Sequence, residues 1–321
     1  MLQRKAYEHL VKWKNTTDKK ALLITGARQI GKTYIIRKFA EENYSNFIEI
    51  NFITNPDAVK IFNGDLNAET ILINLTAYTQ KPLVKGDTLI FFDEIQECPS
   101  ARTAIKFLVD DGQFDYIESG SLLGVRYKEV KSYPVGYEEN YRMYPLDFEE
   151  FATANGIQPQ TIEYLKKCYD NKETVTEAVH QSMLKLFQYY IIVGGMPAVV
   201  QKFVDTKDIG EVLKIQKDIL DLYRQDISKY SDNNKEKIKS IFDLIPAQLN
   251  DRNRRFTLSD IKNSARMLRY ETSFNWLADA GVALPCYNIT EPVLPLELNL
   301  QNNLFKLFLC DTGLLCAASM G

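Results

Sequence analysis

Residues 26–33 read Gly-Ala-Arg-Gln-Ile-Gly-Lys-Thr, which satisfies G-x-x-x-x-G-K-[ST] at each fixed position. Before it lies Ala21 to Thr25, a short apolar run with the look of a buried strand. After it, Tyr34 to Tyr44 reads as a helix with Ile35, Ile36 and Phe39 on one side. Strand, glycine-rich loop and helix in that order make a phosphate cradle. Gly26 and Gly31 let the backbone turn its N–H groups inward as an anion nest, and the helix adds its positive end. Ala27, Arg28, Gln29 and Ile30 complete the loop, so Gly26 through Thr33 are the expected nucleotide-binding residues. Lys32 is expected to reach the β- and γ-phosphates and take part in catalysis, with the Thr33 hydroxyl ligating Mg²⁺.

A second motif points to hydrolysis. Leu89-Ile90-Phe91-Phe92 is a continuous apolar run, as expected of a central parallel strand covered on both faces, and it ends in Asp93-Glu94. An aspartate at a strand's end beside a phosphate loop holds the metal shell, so Asp93 joins Thr33 as an expected Mg²⁺ ligand. Glu94 is suited to orient or deprotonate the attacking water. Beyond Pro99, Ser100 is placed to cap a helix closed by Gly112. Phe114 to Glu118 then reads as a strand ending in Ser119-Gly120-Ser121, where Ser119 or Ser121 could sense the γ-phosphate or its water. The β–α alternation through residue 150 predicts a three-layer α/β domain with a mostly parallel sheet.

Composition excludes several classes. With 321 residues, 45% hydrophobic and 25% charged, the chain is an ordinary folded protein long enough for two domains and a small third. Thirty-nine Lys and Arg against 42 Asp and Glu name no partner by themselves. Five cysteines without a CxxC pair, and only His9 and His180, argue for buried reduced thiols over a zinc site or a disulfide framework. The N-terminus has charges every few residues and no apolar core, and the longest uncharged stretch, Leu186 to Gln201, is too short to span a membrane. A soluble, cytoplasmic protein is expected.

The chain resembles the prokaryotic AAA-type ATP-binding proteins that carry a C-terminal region of unknown function, a winged helix followed by a restriction-nuclease-like fold. The matching stretches are GARQIGKT at 26–33, FFDEIQECP at 91–99, SGSLLG at 119–124, MYPLDFEEF at 143–151, GGMPAVV at 194–200, DISKY at 226–230 and FKLFLCDTGLL at 305–315. The resemblance implies ATP as the nucleotide and an additional-strand sheet, with a sensor strand between the phosphate-loop strand and the Asp-Glu strand. Lys32, Thr33, Asp93 and Glu94 carry over directly. For an arginine acting in trans, Arg102, Arg126 and Arg142 are each plausible. The nuclease-like part, with its Glu, Asp and Glu-x-Lys, is missing before Gly321, so no nuclease activity is expected.

The expected organisation is an AAA-type P-loop domain over 1–155, a helical lid-like region over 156–235 and a winged-helix domain over 236–321. Helical periodicity continues to Tyr230, and a further helix is expected to break near Pro246. A helix from Leu258, another from Leu268 to Ala280, and strands at Ala283 to Ile289 and Phe305 to Leu309 fit the winged helix. Between Lys235 and Tyr270 nine Lys or Arg stand against four Asp or Glu. Arg252, Arg254, Arg255, Lys262, Arg266 and Arg269 would face a duplex, making DNA a candidate partner beside a protein partner or a second copy.

The leading reading is an ATPase whose nucleotide state drives a conformational switch. The alternative is an adaptor that holds ATP without turning it over and binds DNA or protein. A GTPase should carry Asn-Lys-x-Asp, and NKET at 171 and NKEK at 234 lack the aspartate. A small-molecule kinase would not need the Asp-Glu pair.

Overall fold

The structure, a computed structural model, describes residues 2–121, 134–230, 234–251, 256 and 270–320. The chain divides into two compact units, Arg4–Met143 and Tyr144–Gly321, the latter with Met1–Gln3.

The first unit is built on a parallel sheet of β1 (Ala21–Thr25), β2 (Asn46–Asn51), β3 (Thr88–Asp93), β4 (Asp115–Gly120) and β5 (Glu138–Arg142) in the order β2-β3-β4-β1-β5. β4 therefore lies between the phosphate-loop strand β1 and the Asp-Glu strand β3, the arrangement the resemblance implies. All six residues of β3 are buried, including its last, Asp93. Strand side chains alternate between faces. Leu23, Ile48, Ile50, Ile90, Phe92 and Tyr116 share a core with α3 (Ala68–Thr79) and α4 (Pro99–Asp111). The intervening Leu22, Ile24, Phe91 and Ile117 are equally buried on the opposite face. There α1 (Lys5–Lys14) packs on α2 (Lys32–Asn43), and α2 on β2 and β4. The continuous apolar runs in the sequence thus come from a sheet covered on both sides.

Three local expectations change. Ser100 does not cap α4: Cys98 is the N-cap and Pro99, whose ring presets a helical φ, opens the helix. The strand expected to end at Glu118 runs on to Gly120, which places Glu118 inside the sheet. Arg102 is buried on α4 and pairs with Glu138 at 3.0 Å, so it is not available to act in trans.

The second unit holds the helices α5 (Phe148–Ala154), α6 (Pro159–Asn171), α7 (Glu177–Val193), α8 (Pro197–Thr206), α9 (Ile209–Tyr230), α10 (Lys235–Asn250), α11 (Glu271–Asp279) and α12 (Thr312–Ser319). Its β6 (Ala283–Ile289) and β7 (Leu300–Leu309) form an antiparallel pair. Asp147 opens α5 with a capping box to Glu150. Three of the quoted motifs meet here. Leu146 N–H donates to Gly195 O at 2.7 Å, and Gly195 N–H donates to Asp311 Oδ2 at 2.6 Å. Asp311 also caps α12 through Leu314 N–H at 3.0 Å. A β-carbon on Gly195 would sit 2.0 Å from Leu146 O, which is why the GGMP turn admits no side chain there.

α10 is not broken at Pro246 but continues through it to Asn250. Ile238, Ile241, Phe242, Ile245 and Gln248 are buried on both sides of the proline, and that burial outweighs one lost backbone bond. Phe256, Phe274, Phe305 and Tyr287 form an aromatic cluster where α11 meets the hairpin. Cys98 and Cys168 are buried as expected, whereas Cys286 on β6 is exposed. Arg252, Arg254, Arg255, Lys262, Arg266, Arg269 and Arg126, and the helix expected from Leu258, lie outside the described residues. Among the described residues no helix is long and apolar enough to cross a membrane.

Candidate functional site

The loop between β1 and α2 brings the expected residues together. Gly26 has φ +140°, and a β-carbon on it would lie 2.2 Å from Met143 O. Gly31 adopts φ 89° immediately before α2. Both positions require glycine, one for close backbone approach and one for a left-handed turn. Gln29 also has a positive φ, 66°, so the loop's curl is set over consecutive residues. Arg4, just before α1, donates Nη1 to Ile30 O at 3.0 Å and ties the loop to the start of the unit.

Lys32 opens α2 and is buried. Its Nζ donates to Gly26 O at 2.9 Å and Ala27 O at 2.8 Å, so the ammonium sits inside the loop. Burial pulls its pKa down to about 8, against the opposing pull of Glu94 and Asp93, while Arg28 adds to the lowering. An anion brought into the loop would restore the missing counter-charge.

Asp93 is the centre of the polar cluster. Its Oδ2 accepts from Thr33 Oγ1 at 3.0 Å and from Asn51 Nδ2 at 2.9 Å. Its Oδ1 accepts from the Ser119 hydroxyl and from Glu94 N–H at 3.1 Å. Asn51 ends β2 directly opposite Asp93 in the β2–β3 register, and sequence reading missed it. The available signal was a polar residue ending an apolar-alternating strand. Its Oδ1 accepts from the N–H groups of Ile53 and Thr54, both at 3.0 Å, which fixes the amide so that the donor faces Asp93.

Glu94 follows in the left-handed region, with φ 54° and ψ 47°. Gln96, also missed, donates Nε2 to Glu94 Oε2 at 2.5 Å. Ser121 Oγ donates to the same oxygen at 3.3 Å and accepts from Arg28 Nε at 3.2 Å. Of the two candidate serines, Ser119 therefore meets Asp93 and Ser121 meets Glu94. A hydroxyl and a carboxylate facing each other across 3.0 Å, Thr33 and Asp93, are a hard-oxygen donor set of the kind Mg²⁺ takes beside a phosphate.

Residues 18–152 match the AAA domain family. Residues 184–320 match a domain of unknown function, DUF8612. Among solved structures the chain is similar to the Walker-type ATPase PABY2304 of Pyrococcus abyssi, with 13% identity over 99% of this chain and 96% of that one, at a TM-score of 0.55. That likeness supports the P-loop ATPase fold. Slighter likenesses are to the Aeropyrum pernix ORC1 protein in complex with DNA (13% identity, 100% and 93% of the two chains, TM-score 0.34) and to the Thermotoga maritima RuvB Holliday junction branch migration motor (14%, 88% and 89%, 0.37). At those scores neither bears on this chain. No curated protein matches the chain. The match to the AAA domain family over residues 18–152, with the P-loop on a parallel sheet, supports binding of ATP.

Proposed function

We propose that the AAA domain binds ATP with Mg²⁺ and hydrolyses it. The observation that carries this reading is the convergence of Lys32, Thr33, Asp93, Glu94 and Ser119 at the carboxyl ends of β1, β3 and β4. Lys32 and the loop N–H groups of Gly26 to Thr33 neutralise the β- and γ-phosphates. Thr33 and Asp93 would hold Mg²⁺, which would supply positive charge against the phosphates. Ser119 keeps Asp93 oriented, and Glu94 takes the proton of the attacking water. The two units then respond to the state of the nucleotide.

For the second unit we propose a winged-helix role, with α10, α11 and the β6–β7 hairpin as its described parts. Contact with DNA would run through Arg252, Arg254, Arg255, Arg266 and Arg269. One observation favours a protein at the hairpin itself. Between Ala283 and Phe305 there are two glutamates and no Lys or Arg, while Leu294 and Leu298 are 82% and 80% exposed. An apolar, acidic tip suits a protein surface better than a phosphate backbone.

The test is steady-state ATP hydrolysis by the purified chain with and without duplex DNA, beside Lys32→Ala as blank. Turnover above the blank supports the ATPase, and a rise with DNA supports the nucleic-acid partner. Turnover indifferent to DNA favours a protein partner. Bound but unhydrolysed ATP would make the chain an adaptor.

A further inference from the structure

Glu94 is held more tightly than a water-activating carboxylate on an exposed turn needs to be. Its left-handed backbone conformation is strained for a residue with a β-carbon. In that position one carboxylate oxygen, Oε2, accepts both the Gln96 amide at 2.5 Å and the Ser121 hydroxyl at 3.3 Å. Among the described residues Oε1 accepts no hydrogen bond. Both donors are shielded: Gln96 is 5% exposed and Ser121 3%. Gln96 is itself unbalanced, since its Oε1 is buried without a partner while its Nε2 serves Glu94. A buried acceptor left unpaired costs stability, so the amide is not placed for the sake of folding. Ser121 has one proton to give, and because its oxygen accepts from Arg28 Nε at 3.2 Å, that proton is directed to Glu94.

We infer that Gln96 and Ser121 are positioning residues for Glu94: they anchor Oε2 so that Oε1 is presented to the water, and Arg28 fastens this clamp to the phosphate loop. The inference rests on the ATPase reading above and extends it to residues outside the phosphate loop and the Asp-Glu pair. The clamp acts on the geometry of the water and not on the hold on ATP.

Four variants test it: Gln96→Leu, Ser121→Ala, Ser121→Thr and Glu94→Gln, each in the full chain. For Gln96→Leu and Ser121→Ala, kcat is expected to fall roughly tenfold, with KM for ATP within about twofold of the parent. Ser121→Thr, which keeps the hydroxyl, should recover most of the loss. Direct titration with a fluorescent ATP analogue should give an unchanged affinity, which also reports that each variant is folded. Binding of ADP with aluminium fluoride, which mimics the transferring phosphoryl group, should weaken by a factor similar to the loss in kcat. Parent-like turnover and parent-like aluminium fluoride affinity in Gln96→Leu and Ser121→Ala, beside an inactive Glu94→Gln, overturn the clamp alone. A parent chain no faster than Lys32→Ala overturns the hydrolytic reading and the clamp with it.

Discussion

Asn51 donates its side-chain amide to Asp93 Oδ2 across 2.9 Å, the oxygen that also accepts from Thr33. A neighbour that orients a metal-binding carboxylate contributes roughly 10–100-fold to metal affinity. Asn51→Ala is therefore expected to raise the Mg²⁺ concentration needed for half-maximal turnover by about tenfold. The check is a Mg²⁺ titration at saturating ATP. Asn51→Asp should do worse, because it sets a second negative charge against Asp93.

Lys32 makes nucleotide binding depend on pH. Only the ammonium form attracts phosphate, and burial brings its pKa to about 8. ATP affinity should be flat below pH 7.5 and fall by up to tenfold per unit above about 8. Stability moves the other way. Between about pH 8 and the ordinary lysine value the unfolded chain binds the extra proton, so the native state gains as pH rises. Titrations of ATP binding and urea denaturation, run from pH 7 to 10, separate the two trends.

A charge cluster inside the first unit gives a third expectation. Arg102 on α4 reaches Glu138 at 3.0 and 3.3 Å, while both carboxyl oxygens of Glu118 are buried without a hydrogen-bond partner. Burial raises the pKa of both glutamates, Glu138 raises that of Glu118 further, and Arg102 opposes the rise in each. A raised carboxyl pKa contributes stability that is complete below the unfolded value of about 4.3 and is lost as pH climbs through the folded one. Glu118→Gln should flatten that decline and raise the melting temperature at pH 8. Arg102→Met, which leaves two buried carboxyls without a cation, should cost about 3–5 kcal/mol. Thermal and urea denaturation at pH 5 and pH 8 would read both.

In the second unit, Asp311 satisfies Gly195 N–H at 2.6 Å and Leu314 N–H at 3.0 Å from a buried position. Asp311→Ala strands both donors and removes the cap of α12, for a loss of roughly 3 kcal/mol. Hydrogen exchange at the amides of Gly195 and Leu314 should accelerate by about a hundredfold. Protection retained at both amides would mean that the GGMP turn is held by its packing alone.

Whatever depends on a contiguous stretch could be read from the sequence. The phosphate loop and β3 each rest on neighbouring residues and their preferred backbone angles, so local chemistry suffices. What was missed depends on which strands lie side by side. Asn51 matters because β2 is the neighbour of β3, and Gln96 because Glu94 turns left-handed; neither fact is written in its own segment. Glu118, read from the sequence as the last strand residue before Ser119, lies inside β4, where a buried carboxylate is costly. Arg102, sixteen residues upstream, offsets its charge there, against the like charge of Glu138, twenty downstream. Pro246 errs in the same direction, a local rule overruled by packing.

The strand order also has a consequence for how the chain is made. β1 is hydrogen-bonded to β4 on one side and β5 on the other, so Thr25 meets Asn140, 115 residues later, and nearby Lys19 meets Asp115, 96 later. The phosphate cradle is encoded first and can be completed only last, when Arg142 has left the ribosome. Until β4 is made Leu22, Leu23 and Ile24 form an apolar strand with both edges open, and until β5 is made one edge stays open, the kind of segment that pairs with other chains. Loop closure on this scale makes the domain a slow folder, and any fragment ending before β5 inherits that open strand permanently.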